Sequence, residues 1–233
     1  MKSAAEKRIE KIGEKLVSCR LRCPGIQIKR SKGIIPRGLI LERKPGKNSC
    51  IVVGLNPGKC GKREREHLKL GKFTYQSFRA YFDADEPLGS QKRMLRNVPY
   101  FKKARNFITD ELKFDGDILW TNLAKCECEG RNGVVPVQTL RVCINRFLRS
   151  EIEAFECDNI VALGNEAFDF CALSFPERFV IGVVHPASYG PFHKMVQQMK
   201  NDKFKKYVLN LIWENRKDKN GHLRAIKISE FKR

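Results

Sequence analysis

Three polar residues stand at positions where they could do chemistry, each directly after an apolar run of the sequence. They are Asn56, Asn122 and His185. The apolar runs are short, rich in branched and aromatic residues and bounded by turn residues, which is typical of buried strands in a parallel sheet. Open α/β sheets build their sites at the carboxyl ends of such strands. One such residue is usually part of a turn, whereas three at equivalent strand ends indicate a catalytic or binding site.

The first of these residues lies in a turn that the sequence makes rigid. Pro57 has a fixed φ angle and lacks an N–H, and the flanking glycines allow close approach of the backbone. We therefore expect the Asn56 side chain to be held at the mouth of a crevice. The turn consists of Gly54, Leu55, Asn56, Pro57 and Gly58.

Strands and helices alternate along the chain. This pattern predicts an α/β fold, a three-layer α/β/α sandwich around a central four-stranded parallel sheet. We expect one domain over residues 1–214, which includes the N-terminal helix and the first cysteine pair, followed by a basic C-terminal tail over 215–233. The predicted strands cover residues 50–54, 117–122, 159–164 and 179–184, with a short edge strand near 38–41. The predicted helices cover residues 2–17, 100–112, 139–155 and 166–173, with one basic helix from His193 to the tail and a polar loop from Asp85 to Val98.

The charge of the chain narrows the choice of partner. Lys and Arg number 46 against 26 Asp and Glu, which gives a formal net charge of +20. Such an excess indicates a polyanionic partner, with nucleic acid as the first candidate and an anionic membrane surface as the second. No apolar run approaches the ~20 residues of a membrane-spanning helix, and the N-terminal segment lacks the apolar middle of a signal peptide. We expect a cytoplasmic, DNA-associated protein with no membrane attachment.

Nine cysteines need an explanation. A reducing cytosol disfavours disulfides, and an odd number would leave one thiol unpaired, so metal ligation of some cysteines is the better interpretation. Three residues separate Cys19 from Cys23, and sixteen separate Cys126 from Cys143. Four thiolates suit either zinc or an iron–sulfur cluster, and Cys128 is an alternative to Cys126. The cysteines expected to be buried small hydrophobic residues are Cys50, Cys157 and Cys171.

Taken together, these motifs resemble the uracil-DNA glycosylase superfamily over about Leu16 to Met195. The turn from Gly54 to Gly58 resembles the water-activating motif of that superfamily, and Thr121 to Cys126 resembles its base-reading strand. His185 to Ser188 resembles its His-Pro motif. The positions of the four cysteines and the run from Ile160 to Asn165 resemble family 4, the iron–sulfur type.

Two features depart from the family 4 pattern. That family carries an acidic residue where this chain has Leu55, whereas Asn56 matches the asparagine in the G-I-N-P-G motif of the mismatch-specific uracil and thymine glycosylases. The first cysteine pair is C-x-x-x-C instead of the family's C-x-x-C. The substrate range therefore stays open between uracil and other deaminated or mismatched bases, and zinc stays an alternative to a [4Fe-4S] cluster.

The resemblance implies a monofunctional enzyme of DNA repair, active as a monomer, that flips a base out of DNA and hydrolyses its N-glycosidic bond. It implies that Asn56 orients a water molecule, that His185 stabilises the departing base and that Asn122 reads the edge of the base. Phe73 is the candidate for stacking on the base, with Tyr75 and Phe78 in reserve. The other residues expected to contact the substrate are Gly54, Leu55, Pro57, Gly58 and Ser188. The expected cysteine ligands of the cluster are Cys19, Cys23, Cys126 and Cys143.

Three alternatives remain open. The departure at Leu55 is compatible with an iron–sulfur protein of the same fold that binds nucleic acid without catalysis. A zinc-bound protein that interacts with RNA is the second alternative, and colour would separate it from an iron–sulfur protein. The third is an enzyme that joins DNA covalently through a histidine, for which His67 and His193 are the candidates.

Overall fold

The computed structural model describes residues 3–82, 99–129, 134–214, 216–217 and 225–228. The polar loop predicted from Asp85 to Val98 and most of the tail from Asn215 lie outside the described residues. The helices are α1 (Ala4–Val17), α2 (Lys62–Leu70), α3 (Tyr75–Phe82), α4 (Pro99–Asn106), α5 (Val137–Cys143), α6 (Arg149–Phe155), α7 (Asn165–Ser174), α8 (Tyr189–Met199) and α9 (Asp202–Trp213). No helix in these ranges is both long enough and apolar enough to cross a membrane.

Shorter helical segments complete the helical part of the described chain. A π-helical segment continues α4, a second one joins α5 to α6, and a 3₁₀ turn lies between α1 and α2. These segments are Phe107–Glu111, Ile144–Leu148 and Arg30–Lys32, respectively. The helix predicted over residues 139–155 is thus a continuous helical stretch from Val137 to Phe155, α-helical at both ends and π-helical in the middle.

The strands confirm the α/β class and extend the predicted sheet. They are β1 (Ile26–Gln27), β2 (Ile40–Glu42), β3 (Cys50–Gly54), β4 (Ile118–Asn122), β5 (Glu127–Cys128), β6 (Asn159–Leu163), β7 (Phe179–Val183) and β8 (Ala225–Lys227). The larger sheet has six strands in the order β2-β4-β3-β6-β7-β8, and β1 pairs with β5 in a second sheet. The four predicted strands are β3, β4, β6 and β7, and β2 is the expected edge strand. No strand was predicted at β8, which lies in the segment assigned to the tail.

Parallel pairing runs from β3 to β8. Ile51 pairs with Ile160, which pairs with Val180, which in turn pairs with Ala225. Every residue of β3, β6 and β7 is buried. Strands that are buried on both faces are characteristic of parallel sheets covered by helices, which explains why these runs are apolar throughout instead of alternating.

The chain folds into two compact units, each assembled from separate stretches of the sequence. In the first unit, α1 packs against α3 and α6, and α2 packs against α3. In the second unit, α7 packs against β6 and β7, and α8 packs against α9. The first unit contains Met1–Leu41, Gly54–Asn97 and Leu119–Glu156, and the second contains Glu42–Val53, Val98–Ile118 and Cys157–Arg233.

The ends of the helices follow from local sequence. Ser3 caps α1 by accepting a hydrogen bond from the Glu6 N–H at 3.2 Å. The prediction of a single basic helix from His193 is wrong, because the chain forms two helices, α8 and α9, with a break between them. Asn201 is the N-cap of α9, since its side chain accepts a hydrogen bond from the Phe204 N–H at 3.0 Å.

Candidate functional site

The turn that carries Asn56 follows β3 and belongs to the first unit. Gly54 is buried, Leu55, Asn56 and Pro57 are half-buried, and Gly58 is exposed. Asn56 Nδ2 donates a hydrogen bond to the Pro57 carbonyl oxygen at 3.0 Å. The nitrogen end of the amide is thereby held by the turn itself, and the Oδ1 end is the one suited to accept a hydrogen bond from a ligand.

Backbone hydrogen bonds join this turn to the segment after β4. The Leu123 N–H donates to the Gly54 carbonyl oxygen, and the Ala124 N–H donates to the Leu55 carbonyl oxygen, each at 2.8 Å. Asn122 is the last residue of β4 and is half-buried. The structure therefore brings the Asn56 turn and the Asn122 strand end together within the first unit.

Gly38 leaves room for the side-chain amide of Asn122. A Cβ atom at Gly38 would lie 2.4 Å from Asn122 Nδ2 and 3.8 Å from Pro57 Cβ. Gly38 also has a φ of +100°, a conformation that side-chain-bearing residues rarely adopt. Glycine is thus required here both by its backbone conformation and by the close approach of the Asn122 amide.

A buried arginine supports the far end of the turn. The Arg37 guanidinium is 3% exposed and donates to the Gly58 carbonyl oxygen through Nη2. Its Nε lies 2.7 Å from Glu64 Oε1, and Nη2 lies 2.9 Å from Glu127 Oε1. The Cys60 N–H donates to the same Glu127 oxygen at 2.6 Å. The sequence analysis did not predict this network. It binds the chain after Pro57 at two points, the Gly58 carbonyl oxygen and the Cys60 N–H.

The three aromatic candidates differ in exposure. Tyr75 and Phe78 are 2% and 1% exposed, and the Tyr75 hydroxyl donates to the Leu39 carbonyl oxygen at 3.0 Å. Both residues are part of the core. Phe73 is half-buried and has a φ of +59°, in the turn that follows α2. Of these three residues, Phe73 is the one that is not fully buried.

The four candidate cysteine ligands all belong to the first unit and influence one another. Burial raises the pKa of the Cys126 thiol, and Cys143, Cys19 and Cys23 raise it further. The pKa of Cys143 is raised by burial and by Cys23 and Cys19, and it is lowered by a hydrogen bond from the Lys125 backbone. The pKa of Cys23 is raised by burial and by Cys19. The pKa values of Cys23, Cys126 and Cys143 are thus each raised by at least one other cysteine of the set.

This donor set fits a soft metal centre. Four thiolates close together repel one another, and a cation or a cluster removes that repulsion, which is why thiolate sites favour zinc and iron–sulfur clusters. Within residues 3–82, 99–129 and 134–214, no three His, Cys, Asp or Glu side chains already stand in a metal-binding arrangement. To hold such a group, the sulfur atoms of these four cysteines would have to come closer together than they are in the described structure. Cys128 is also buried and lies in β5, opposite Ile26.

A buried ion pair lies beside Asn122 and was likewise not predicted. Lys125 and Glu151 are both 0% exposed, and Lys125 Nζ lies 2.7 Å from Glu151 Oε2. Thr121 bridges them through its hydroxyl group. The sequence held one signal for this pair: Glu151 follows Phe147 and Leu148 at helical spacing, on the face otherwise occupied by apolar residues.

His185 lies in the second unit, two residues after β7. The Ala187 N–H donates to His185 Nδ1 at 3.2 Å, and the ring centroid lies 5.2 Å from that of Tyr100. A Cβ atom at Gly164 would lie 3.5 Å from His185 Cβ. Burial lowers the pKa of His185. Because Nδ1 accepts the Ala187 N–H, this contact favours the neutral tautomer that carries its proton on Nε2.

Ser188 completes the second-unit residues that the sequence analysis selected. It is exposed, it precedes α8, and its N–H donates to the His185 carbonyl oxygen at 2.8 Å. The two other histidines considered lie elsewhere in the fold. His67 Nε2 is 2.9 Å from the Ser77 carbonyl oxygen, and the exposed His193 ring stacks on Tyr189.

The selected residues thus divide between the two units. The Asn56 turn, Phe73, Asn122 and the four cysteines belong to the first unit, and His185 and Ser188 belong to the second. Comparison with known proteins adds no assignment, since no family model and no curated protein matches this chain.

Proposed function

We propose that this chain is a DNA glycosylase that hydrolyses the N-glycosidic bond of uracil, or of a related deaminated base, in DNA. The observation that carries the proposal is the contact of His185, whose Nδ1 accepts the Ala187 N–H, so that the neutral ring has Nε2–H as its donor. Such a donor suits a departing base, which gains negative charge as the bond breaks. The net charge of +20 and the resemblance of the motifs to the uracil-DNA glycosylase superfamily support DNA as the substrate.

The proposed reaction is a hydrolysis with a dissociative character. The bond between uracil N1 and deoxyribose C1′ breaks, and its electron pair leaves with the base. The Nε2–H of His185 donates a hydrogen bond to uracil O2, where the negative charge collects. The oxygen of a water molecule bonds to C1′ and loses a proton to solvent, while the released base takes up a proton. The products are free uracil and an abasic site.

Asn56 is the residue proposed to place the water. Its Nδ2 is bound to the Pro57 carbonyl oxygen, so Oδ1 is the group that would accept a hydrogen bond from the water. The cationic sugar is a strong electrophile, and a weakly basic amide is therefore sufficient if the water is well oriented.

Asn122 is the residue proposed to select the base. Uracil offers an acceptor at O4 and a donor at N3, whereas cytosine offers the opposite pattern. An amide held in one orientation therefore pairs with uracil and mispairs with cytosine. Phe73 is proposed to stack on the flipped base, and Ser188, at the start of the segment after His185, is proposed to help occupy the gap that the base leaves. Gly54, Leu55, Pro57 and Gly58 form the turn that contacts the substrate.

Cys19, Cys23, Cys126 and Cys143 are proposed to hold a [4Fe-4S] cluster, with zinc as the alternative. The cluster or the zinc ion would cross-link the fold, because it would join the segment after α1 to the segment after β4 and to the end of α5. None of the proposed reaction steps depends on it.

The finer architecture belongs to the same proposal. We propose a three-layer α/β/α sandwich in which four parallel strands form the centre of the sheet. The glycosylase domain is proposed to cover residues 1–214, and the basic tail to cover 215–233. The protein is proposed to act as a cytoplasmic monomer in base excision repair.

One observation favours a second candidate function. Leu55 is a half-buried apolar residue at the position where family 4 enzymes carry an acid. A protein that lacks the acid could bind nucleic acid through the same fold and cluster without catalysis. The two candidates differ in one measurable property, the release of a free base.

Substitution of the two catalytic candidates tests the proposal. We expect Asn56→Ala and His185→Ala each to lower single-turnover release of uracil strongly, by about 100-fold or more, because each removes a group that acts in the transition state. Binding to the same oligonucleotide, measured by fluorescence anisotropy, is expected to stay unchanged. Full activity in both variants would remove the proposed mechanism.

A further inference from the structure

Lys125 is a buried lysine whose three N–H donors are all used. Its Nζ lies 2.6 Å from Thr121 Oγ1, 2.7 Å from the Asn122 carbonyl oxygen and 2.7 Å from Glu151 Oε2. An ammonium group has three donors and no acceptor, so this arrangement satisfies it fully. One of the three acceptors belongs to the backbone of the residue proposed to read the base.

The other two acceptors hold the ammonium group in place. The Thr121 hydroxyl donates to Glu151 Oε2 at 2.6 Å while it accepts from Lys125, so the three side chains form a closed triangle. Glu151 lies in α6, and Thr121 and Asn122 are the last two residues of β4. The triangle therefore fixes the end of the strand to a helix of the same unit.

Stability alone is a weak reason for such a pair. Removal of a lysine and a glutamate from water costs several kcal/mol each, and a buried ion pair is often no more stabilising than apolar residues of the same volume. What the pair supplies is a defined geometry for the groups that it binds. The backbone carbonyl oxygen of Asn122 accepts a hydrogen bond from Lys125. The side-chain amide nitrogen of the same residue, Nδ2, lies close to Gly38.

We propose that Lys125, held by Glu151 and Thr121, is a positioning residue that sets the orientation of Asn122 for recognition of the base. The inference rests on the proposed function, since it assigns a role in base selection. Lys125 acts here through the backbone of Asn122 and does not touch the base. A defined amide orientation is what separates uracil from cytosine, so loss of the triangle is expected to reduce selectivity together with rate.

The decisive variant removes both charges together. Lys125→Met alone would leave the buried Glu151 carboxylate without its partner and would destabilise the fold. The double variant Lys125→Met/Glu151→Leu replaces the pair by apolar side chains of similar size, and we expect it to fold with a melting temperature near that of the wild type. The matched control is Arg79→Met/Glu10→Leu, which removes the ion pair between α3 and α1.

The readouts separate positioning from a merely structural role. For the double variant we expect kcat on a uracil oligonucleotide to fall about 10- to 100-fold, the loss that a small misplacement of a substrate-positioning group causes. We expect KM to stay near that of the wild type, and the preference for uracil over cytosine to narrow by a similar factor. The control double variant is expected to keep the wild-type rate and selectivity. A folded double variant with wild-type kcat and selectivity would overturn the inference.

A second pair of variants covers the case in which the double variant does not fold. Thr121→Val removes the bridging hydroxyl and keeps the shape, whereas Thr121→Ser keeps the hydroxyl. We expect Thr121→Val to lose roughly tenfold in kcat and to narrow the selectivity, and Thr121→Ser to retain both. Equal behaviour of the two variants would overturn the inference. If the wild type releases no base at all, the proposed function fails first, and the inference fails with it; if the wild type is active and the variants match it, only the inference fails.

Discussion

His185 illustrates how one hydrogen bond and partial burial influence the chemical state of a side chain. The Ala187 N–H occupies Nδ1, so that the neutral ring keeps its proton on Nε2, and burial lowers the pKa of the ring. Protonation would place a hydrogen on Nδ1, directly opposite the Ala187 N–H. The orientation of the donor therefore depends on the ring staying neutral.

This state predicts the acid side of the pH–rate profile. Because the pKa of His185 lies below its ordinary value of 6.5, the neutral form persists as the pH falls through 6.5, and the rate is expected to decline only at lower pH, where the ring takes up a proton. Single-turnover release of uracil between about pH 4.5 and 8 would measure the decline. His185→Gln, which retains a side-chain N–H donor but does not titrate, is the control and should lose this limb. An unchanged acid limb in His185→Gln would show that another group titrates.

Buried charges mark the limit of sequence-based reasoning at the residue scale. Asn56, Asn122 and His185 could be selected because turn chemistry and strand ends are visible in the sequence. Arg37 and Lys125 could not, since arginine and lysine normally indicate exposed positions. Their burial depends on carboxylates that come from distant parts of the chain, which local patterns do not reveal.

At the scale of elements, the segment around Gly38 positions the end of β4. Gly38→Ala would place a methyl group 2.4 Å from Asn122 Nδ2 at a backbone φ of +100°. We expect a loss of roughly 1–3 kcal/mol in the free energy of unfolding, together with a lower preference for uracil over cytosine.

Chemical denaturation and a uracil–cytosine selectivity assay would measure both effects of Gly38→Ala. Gly58→Ala is the control for stability, because a Cβ atom there would have no neighbour within 4 Å. We expect its free energy of unfolding to change by less than about 0.5 kcal/mol. Wild-type stability and selectivity in Gly38→Ala would contradict the assigned packing of the Asn122 amide.

The cysteine-bearing segments lead to a separate prediction. Cys126→Ser and Cys143→Ser are each expected to abolish the brown colour and the bound iron of protein purified without oxygen, because each removes one of the four proposed cluster ligands. Cys128→Ser is expected to retain both, and Cys171→Ser, within α7, is the control for a buried cysteine outside the set. Metal analysis and visible absorbance provide the measurement. A colourless wild-type protein with one bound zinc ion would support the zinc alternative. Loss of metal in Cys128→Ser but not in Cys126→Ser would show that Cys128 is the ligand in place of Cys126.

The strands show which elements could be predicted and why others could not. β3, β6 and β7 are buried throughout, so their apolar runs are unmistakable. β8 has only three residues, and only Ile226 among them is buried. Its composition therefore does not indicate a strand, and the strand is recognised by its parallel pairing with β7. The break between α8 and α9 was missed because the apolar spacing continues across it, while the cap at Asn201 is a local polar interaction.

At the scale of the whole molecule, two properties bear on the proposed function: the net charge and the division of the chain into two units. A net charge of +20 attracts phosphate whatever the base sequence is, so under the proposed function specificity has to come from the residues proposed to read the base. Asn56 and Asn122 belong to the first compact unit, and His185 belongs to the second. The proposal therefore concerns the complete chain, and its tests use the complete chain.

The most direct test is release of uracil from an oligonucleotide that contains a single uracil, with alkali cleavage reporting the abasic site. The substrate is presented as a single strand, opposite guanine and opposite adenine, so that the comparison also shows whether Asn56 is accompanied by a preference for mismatches. We predict cleavage by the wild-type protein that is strongly reduced in Asn56→Ala. An absence of cleavage in all three forms, with salt-sensitive DNA binding retained, would contradict the account and favour a protein that binds nucleic acid without catalysis.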